Sequence, residues 1–189
     1  MRVLRSLPTV LGIVVAGKVC LAQSPGLDCS KAVSTTAKMV CSDKGLAALD
    51  AKMTELYKAA GRGPDTVAQQ RRDLYKGDDC SKASDARACI ETAYQRRIIA
   101  LEIEQDKAGS AKTAKLSCGT GKMPITASFY NSTEPQSVML VYGNDHAVAL
   151  IAMSGSGSRY TAPGIEYWEH QGEAAVTWRG AKATCKMLR

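Results

Sequence analysis

Seven cysteines constrain this 189-residue chain more than any other feature of its sequence. Seven is an awkward number for an exported protein, and the N-terminus resolves it. The stretch MRVLRSLPTVLGIVVAGKVCLA, residues 1–22, carries Arg2 and Arg5, an apolar run from Leu11 to Ala16, and small residues, Cys20 and Ala22, at the positions a signal peptidase reads. It reads as a cleaved Sec signal, which makes the mature protein periplasmic. The stretch is too short, and too interrupted by Lys18, to span a membrane. Lys18 and Val19 fit poorly in front of a lipid-bearing cysteine, which disfavours anchoring at Cys20. Cleavage after Ala22 leaves Cys29, Cys41, Cys80, Cys89, Cys118 and Cys185, and six thiols allow 15 pairings. Sequence position favours Cys29 with Cys41, Cys80 with Cys89 and Cys118 with Cys185, because each pair brackets a locally plausible unit. Metal binding is the rival reading. No C-x-x-C pair exists, however, and the only histidines, His146 and His170, sit far from any cysteine cluster, so neither a metal nor another cofactor is expected.

The hydrophobic period changes partway along the chain. In GLAALDAKMTELYKAA, Leu46, Leu49, Met53, Leu56, Tyr57 and Ala60 recur at three- and four-residue spacings, one stripe of a helix, with Ser42 and Asp43 ahead of it as capping oxygens. Pro64 opens a second helix through Val67 and Leu74 to about Gly77. A third follows Ser84-Asp85 and turns Ala86, Ile90, Ala93, Tyr94, Ile98 and Leu101 inward. The stretch around DKAGSAKTAK is small and polar, a linker by composition. Beyond it the period is two. Ile125, Ala127 and Phe129 alternate with polar residues, SVMLVY and HAVALIAM flank the turn GND, and further strands are expected at 158–161, 165–169, 174–179 and 183–187. Most of the few aromatic residues also fall here. So many short strands predict a closed or nearly closed antiparallel barrel, because closure removes exposed edges. The expected fold is therefore α+β in two domains. A small disulfide-stapled helical domain at 23–106 and a linker at 107–114 precede an antiparallel β-barrel at 115–189.

The formal charge of +7 includes Arg2, Arg5 and Lys18; without them 22 basic face 18 acidic side chains, a net of +4. No Lys/Arg block interleaves with aromatics, so no nucleic-acid partner is expected. Catalysis is disfavoured as well. Histidine is scarce, the SGSGS segment lacks the spacing and the following helix of a nucleophile elbow, and it does not match a phosphate-cradling loop.

The segments CGTG, ASFYNS, MSGSGSRYTAPGIEYWEHQGEAAVTWRG and TCK together resemble the MliC/PliC family of bacterial inhibitors of c-type lysozyme, over roughly residues 115–187. One family motif, S-x-S-G-x-[KR]-Y, is present from Ser154 to Tyr160. The other, an aromatic followed by K-G-x-E-A, is present from Trp168 to Ala175, with His170 and Gln171 where the family carries a hydroxyl residue and a lysine. The N-terminal segments DCSKA, MVCSDKGLAALDAKMTELYKAA, QRRDLYKGDDC and CIETAYQRRIIALE are similar to the LprI-type lysozyme-inhibitor N-terminal domain, whose cysteine spacing fits the two local bridges. The resemblance implies a non-enzymatic protein whose partner is c-type lysozyme. A glycine-rich loop would enter the enzyme's cleft, with Ser154, Gly155, Ser156, Gly157, Arg159, Tyr160, His170 and Gln171 as the binding residues. The alternative is a non-inhibitory cell-envelope module that recognises peptidoglycan or an envelope protein. A homodimer is left open.

Overall fold

The structure, a computed structural model, describes residues 26–77, 80–119 and 124–188. The expected signal peptide, residues 1–22 with Cys20, lies outside the described residues. Four α-helices come first: α1 (Thr35–Ser42), α2 (Lys44–Ala59), α3 (Pro64–Gly77) and α4 (Ala86–Glu104). Each of three N-termini is closed by a short oxygen-bearing side chain. Ser34 accepts from the Ala37 amide, Asp43 from Leu46 and Asp85 from Ala88, satisfying donors that the first turn leaves orphaned. Asp43 is thus the cap of α2, whereas Ser42 ends α1, a helix that the sequence reading did not foresee. The expected stripe packs as foreseen at Leu46, Met53, Leu56 and Tyr57, which meet Ile90, Tyr94, Ile98 and Leu101 of α4; Ala60, by contrast, is exposed.

At the centre of this unit a fully buried carboxylate is fully satisfied. Asp50 accepts from the Leu27 amide (2.9 Å), from Arg71 Nε and Nη2 (2.6 and 2.9 Å) and from the Tyr94 hydroxyl (2.9 Å). A buried ion pair is sustained only when its remaining lone pairs find donors, and here they do. The network fastens the chain entering at Gly26 onto α2, α3 and α4.

The second unit is a closed antiparallel barrel whose eight strands pair in chain order, with β8 returning to β1. They are β1 (Lys112–Cys118), β2 (Ile125–Tyr130), β3 (Ser137–Tyr142), β4 (Asp145–Ala152), β5 (Ser158–Ala162), β6 (Ile165–His170), β7 (Glu173–Trp178) and β8 (Ala181–Leu188). Alternation fills the interior with Leu116, Ile125, Ala127, Val138, Leu140, Ala149, Tyr160, Tyr167, Ala174 and Val176. All three expected disulfides are present. Cys29–Cys41 and Cys80–Cys89 each tie a 3-10 turn to a helix, and Cys118–Cys185 joins directly paired positions of β1 and β8.

One feature departs from the expected layout and a second gains its reason. The stretch 107–114 is not a free linker: β1 begins at Lys112, Ala108 is buried, and its carbonyl accepts from the Ser132 hydroxyl at 2.8 Å. Small residues allow that close docking, and the composition that suggests flexibility equally permits it. The apolar run on β4 is also explained. Ala147 and Ala149 face the barrel interior, while Val148 and Leu150 face outward onto Ile99 of α4, with Ala100, Ile103 and Met139 packed beside them. A strand covered on both faces loses its alternation.

Candidate functional site

Strands alternate direction, so the β4–β5 loop and the β6–β7 turn emerge at the same end of the barrel. The loop, Met153 to Gly157, is exposed at every residue. Its conformation is nonetheless held internally. The Ser154 hydroxyl donates to the Ser156 carbonyl at 2.6 Å and lies 3.4 Å from the Ser156 amide, a small side-chain-to-backbone turn. The same carbonyl accepts from the Trp168 indole nitrogen at 2.9 Å. Trp168 stacks in turn on His170, with ring centroids 6.1 Å apart and planes 24° from parallel.

The two glycines of the loop do different things. Gly157 has φ +69°, and a Cβ there would lie 1.9 Å from the Glu169 carbonyl oxygen, so the loop lies against the β6 backbone in a way only glycine permits. Around Gly155 a Cβ would meet no atom within 4 Å.

Arg159 follows on β5, half-exposed, and gives Nε to Glu166 Oε1 at 2.7 Å across the strand pair. Across the barrel end, His170 is exposed and pairs with Glu173, and Gln171 sits at the turn tip with φ +52° beside Gly172 at φ +83°, a two-residue hairpin connection.

Tyr160 requires a correction. The resemblance implies a binding role for it, but it is 4% exposed and packs inside the barrel against Phe129 and Tyr167, at centroid distances of 5.8 and 6.2 Å. It alternates with Arg159, and alternation places it on the inner face. Burial, then the nearby Glu169, pushes its phenol above the ordinary tyrosine range. Tyr167 is pushed up further by the same two causes and donates to Glu169 Oε2 at 3.2 Å. Both phenols stay neutral through physiological pH.

Trp168 is the residue that reading the sequence missed as a contributor to the site. It is 39% exposed on the outer face of β6; Ile151, near the end of β4, and Met153, the first residue of the loop, are 39% and 95% exposed. The signal was available in the strand itself: Ile165 and Tyr167 point inward, so Glu166, Trp168 and His170 must point out.

From Ser154 to Ala175, Arg159 stands against Glu166, Glu169 and Glu173, a net charge of −2, and this acidic face is weaker than that composition suggests. Glu166 is held by Arg159, Glu169 is bonded by a phenol, and Lys186 stands 4.0 Å from Glu173. Among the described residues no group of three or more potential ligands could hold a metal ion, and no helix is long and apolar enough to cross a membrane. The arrangement is thus a presented and internally braced hydroxyl-bearing loop, with one cation and one exposed indole beside it.

A family model described as membrane-bound lysozyme-inhibitor of c-type lysozyme, MliC, matches residues 117–184, which take in the loop and the turn. The chain is also similar to lipoprotein LprI of Mycobacterium bovis and of Mycobacterium tuberculosis, 34% identical over 163 residues in each case, or 85% of this chain and 83% of the relative. That span is longer than the barrel, so the similarity takes in helical residues as well.

Proposed function

Because the chain belongs to the family of lipoprotein LprI and ends in an MliC domain, we propose that it inhibits c-type lysozyme by placing the loop from Ser154 to Gly157 in the enzyme's cleft, thereby protecting peptidoglycan. The observation that carries this reading is a loop fully exposed to solvent yet fixed by two hydrogen bonds onto a single carbonyl. A loop already ordered loses less conformational entropy when it docks.

The chemistry suits the target. Lysozyme hydrolyses glycosides with one protonated and one ionised carboxyl group. The Ser154 hydroxyl proton is directed at the Ser156 carbonyl and one lone pair faces the Ser156 amide, which leaves the oxygen's other lone pair to accept from the protonated acid. Arg159 spends Nε on Glu166, and its terminal nitrogens remain to meet the ionised carboxylate. Gly155, with open space around it, lets the tip approach closely. His170 and Gln171 form the second edge of the contact.

Turbidity-based lysis by c-, g- and i-type lysozymes tests this directly. Inhibition is expected for the c-type enzyme, and replacing Ser154 and Arg159 together with alanine should raise the inhibition constant tenfold or more with the fold unchanged. Full inhibition by the double variant would overturn the site assignment.

We place the protein in the cell envelope. That the relatives are lipoproteins and that the family model is described as membrane-bound support this location. Export through a cleaved signal predicts a mature mass beginning at Gln23; a diacylated mass beginning at Cys20 would replace the soluble periplasmic form with an anchored one.

A further inference from the structure

We propose that Trp168 is a positioning residue, whose indole N–H fixes the Ser156 carbonyl and, through it, the direction of the Ser154 hydroxyl. The functional part of this inference rests on the inhibitor reading above. The structural part does not.

Three observations carry it. First, Trp168 does not fill the core. It lies on the outer face of β6, 39% exposed, while the inward positions beside it are taken by Tyr167 and Glu169. Second, its indole nitrogen is given to the loop and to nothing in the barrel. A carbonyl oxygen has two lone pairs, so the bonds from Ser154 and from Trp168 coexist on Ser156 without competing. Third, the loop is otherwise fastened only at its ends: Ala152 pairs with Arg159 on the β4–β5 ladder, and Gly157 is pressed on the Glu169 backbone. Between these ends, the bond from Trp168 is the one hydrogen bond that reaches the described loop from outside it. Without it the Ser156 peptide is free to rotate, and the Ser154 hydroxyl turns with it. The stack on His170 holds the indole plane and so aims the N–H.

Trp168→Phe keeps an aromatic ring on His170 and deletes the donor. In the full chain without lysozyme, backbone 15N relaxation should show the order parameters of Gly155 and Ser156 falling toward about 0.6, with the thermal midpoint unchanged. Against c-type lysozyme the inhibition constant should rise about three- to tenfold, the worth of one neutral hydrogen bond. That loss should vanish in the Ser154→Ala background, because a residue acting through Ser154 then has nothing left to position. Unchanged order parameters would overturn the proposal. So would an equal loss in both backgrounds, which would make the indole a direct contact. A wild-type chain that leaves lysozyme fully active would remove the inhibitor reading alone, and the relaxation measurement would still decide the role of Trp168.

Discussion

Two glycines with a single residue between them separate what the fold needs from what a partner needs. Alanine at Gly157 meets the Glu169 carbonyl and a left-handed backbone together, so Gly157→Ala should lose roughly 1–3 kcal/mol, read by thermal or urea unfolding. Alanine at Gly155 meets nothing. Gly155→Ala should therefore leave the unfolding midpoint where it is and still weaken inhibition, because only a closely fitting cleft can object to one methyl group. Equal inhibition by this variant and the wild type would argue that the tip stays outside the cleft. Asp50→Asn tests the opposite extreme. It removes the buried negative charge that takes two hydrogen bonds from the Arg71 guanidinium and should cost about 3–5 kcal/mol in urea unfolding. The loop stood out in the sequence through its resemblance to the family motif S-x-S-G-x-[KR]-Y, since serine and glycine alone would mark only a turn between two strands. Tyr160 and Trp168 were misjudged because aromatic residues invite a guess about identity, whereas the side of the strand decides which of them meets solvent.

Helix α2 shows how a single cap couples to acid. The Arg87 guanidinium, which donates to Asp43, and then the Leu46 amide hold the Asp43 carboxyl below its ordinary value of 3.8. A carboxylate depressed in the folded state contributes stability above its unfolded value and loses it as pH falls through the folded one. The helical circular dichroism signal should accordingly weaken on acidification below about pH 3.8, and less steeply in Asp43→Asn, which keeps a capping oxygen without a titrating proton. An identical acid profile for the variant would assign the transition to other carboxylates. Helices α2, α3 and α4 were legible from their helical stripes, and seven of the strands from alternation, from turn residues or, in β3 and β4, from apolar runs flanking a turn. Helix α1 was not. Its sequence TTAKMVCS buries only Ala37 and Val40, too few positions to establish a period. Strand β1 was hidden by its lysines, since KTAKLSC is exposed over its first half and takes its strand character from pairing with β2 and β8.

At the scale of the molecule, the helical unit and the barrel share apolar surface. Ile99 of α4 covers Val148 and Leu150 of β4, and β4 runs directly into the loop. Ile99→Ala should cost about 2–4 kcal/mol, seen as a lower unfolding midpoint of the whole chain; no change would mean that the two units stand independently. The contact was not visible in the sequence, where HAVALIAM reads as a buried strand without saying that a helix covers its outer side. The partial neutralisation of the acidic face by Arg159 and Lys186 bears on association as well. Inhibition should weaken only modestly between low and high salt, and a steep gain in affinity with salt would contradict docking through this face. Because β8 closes on β1, every strand already has two hydrogen-bonded neighbours. Among the described residues no strand lacks a neighbour on either side, which works against recognition by β-augmentation and against edge-to-edge aggregation. Recognition then falls mainly to side chains and turns, where substitutions change specificity without rewiring the sheet.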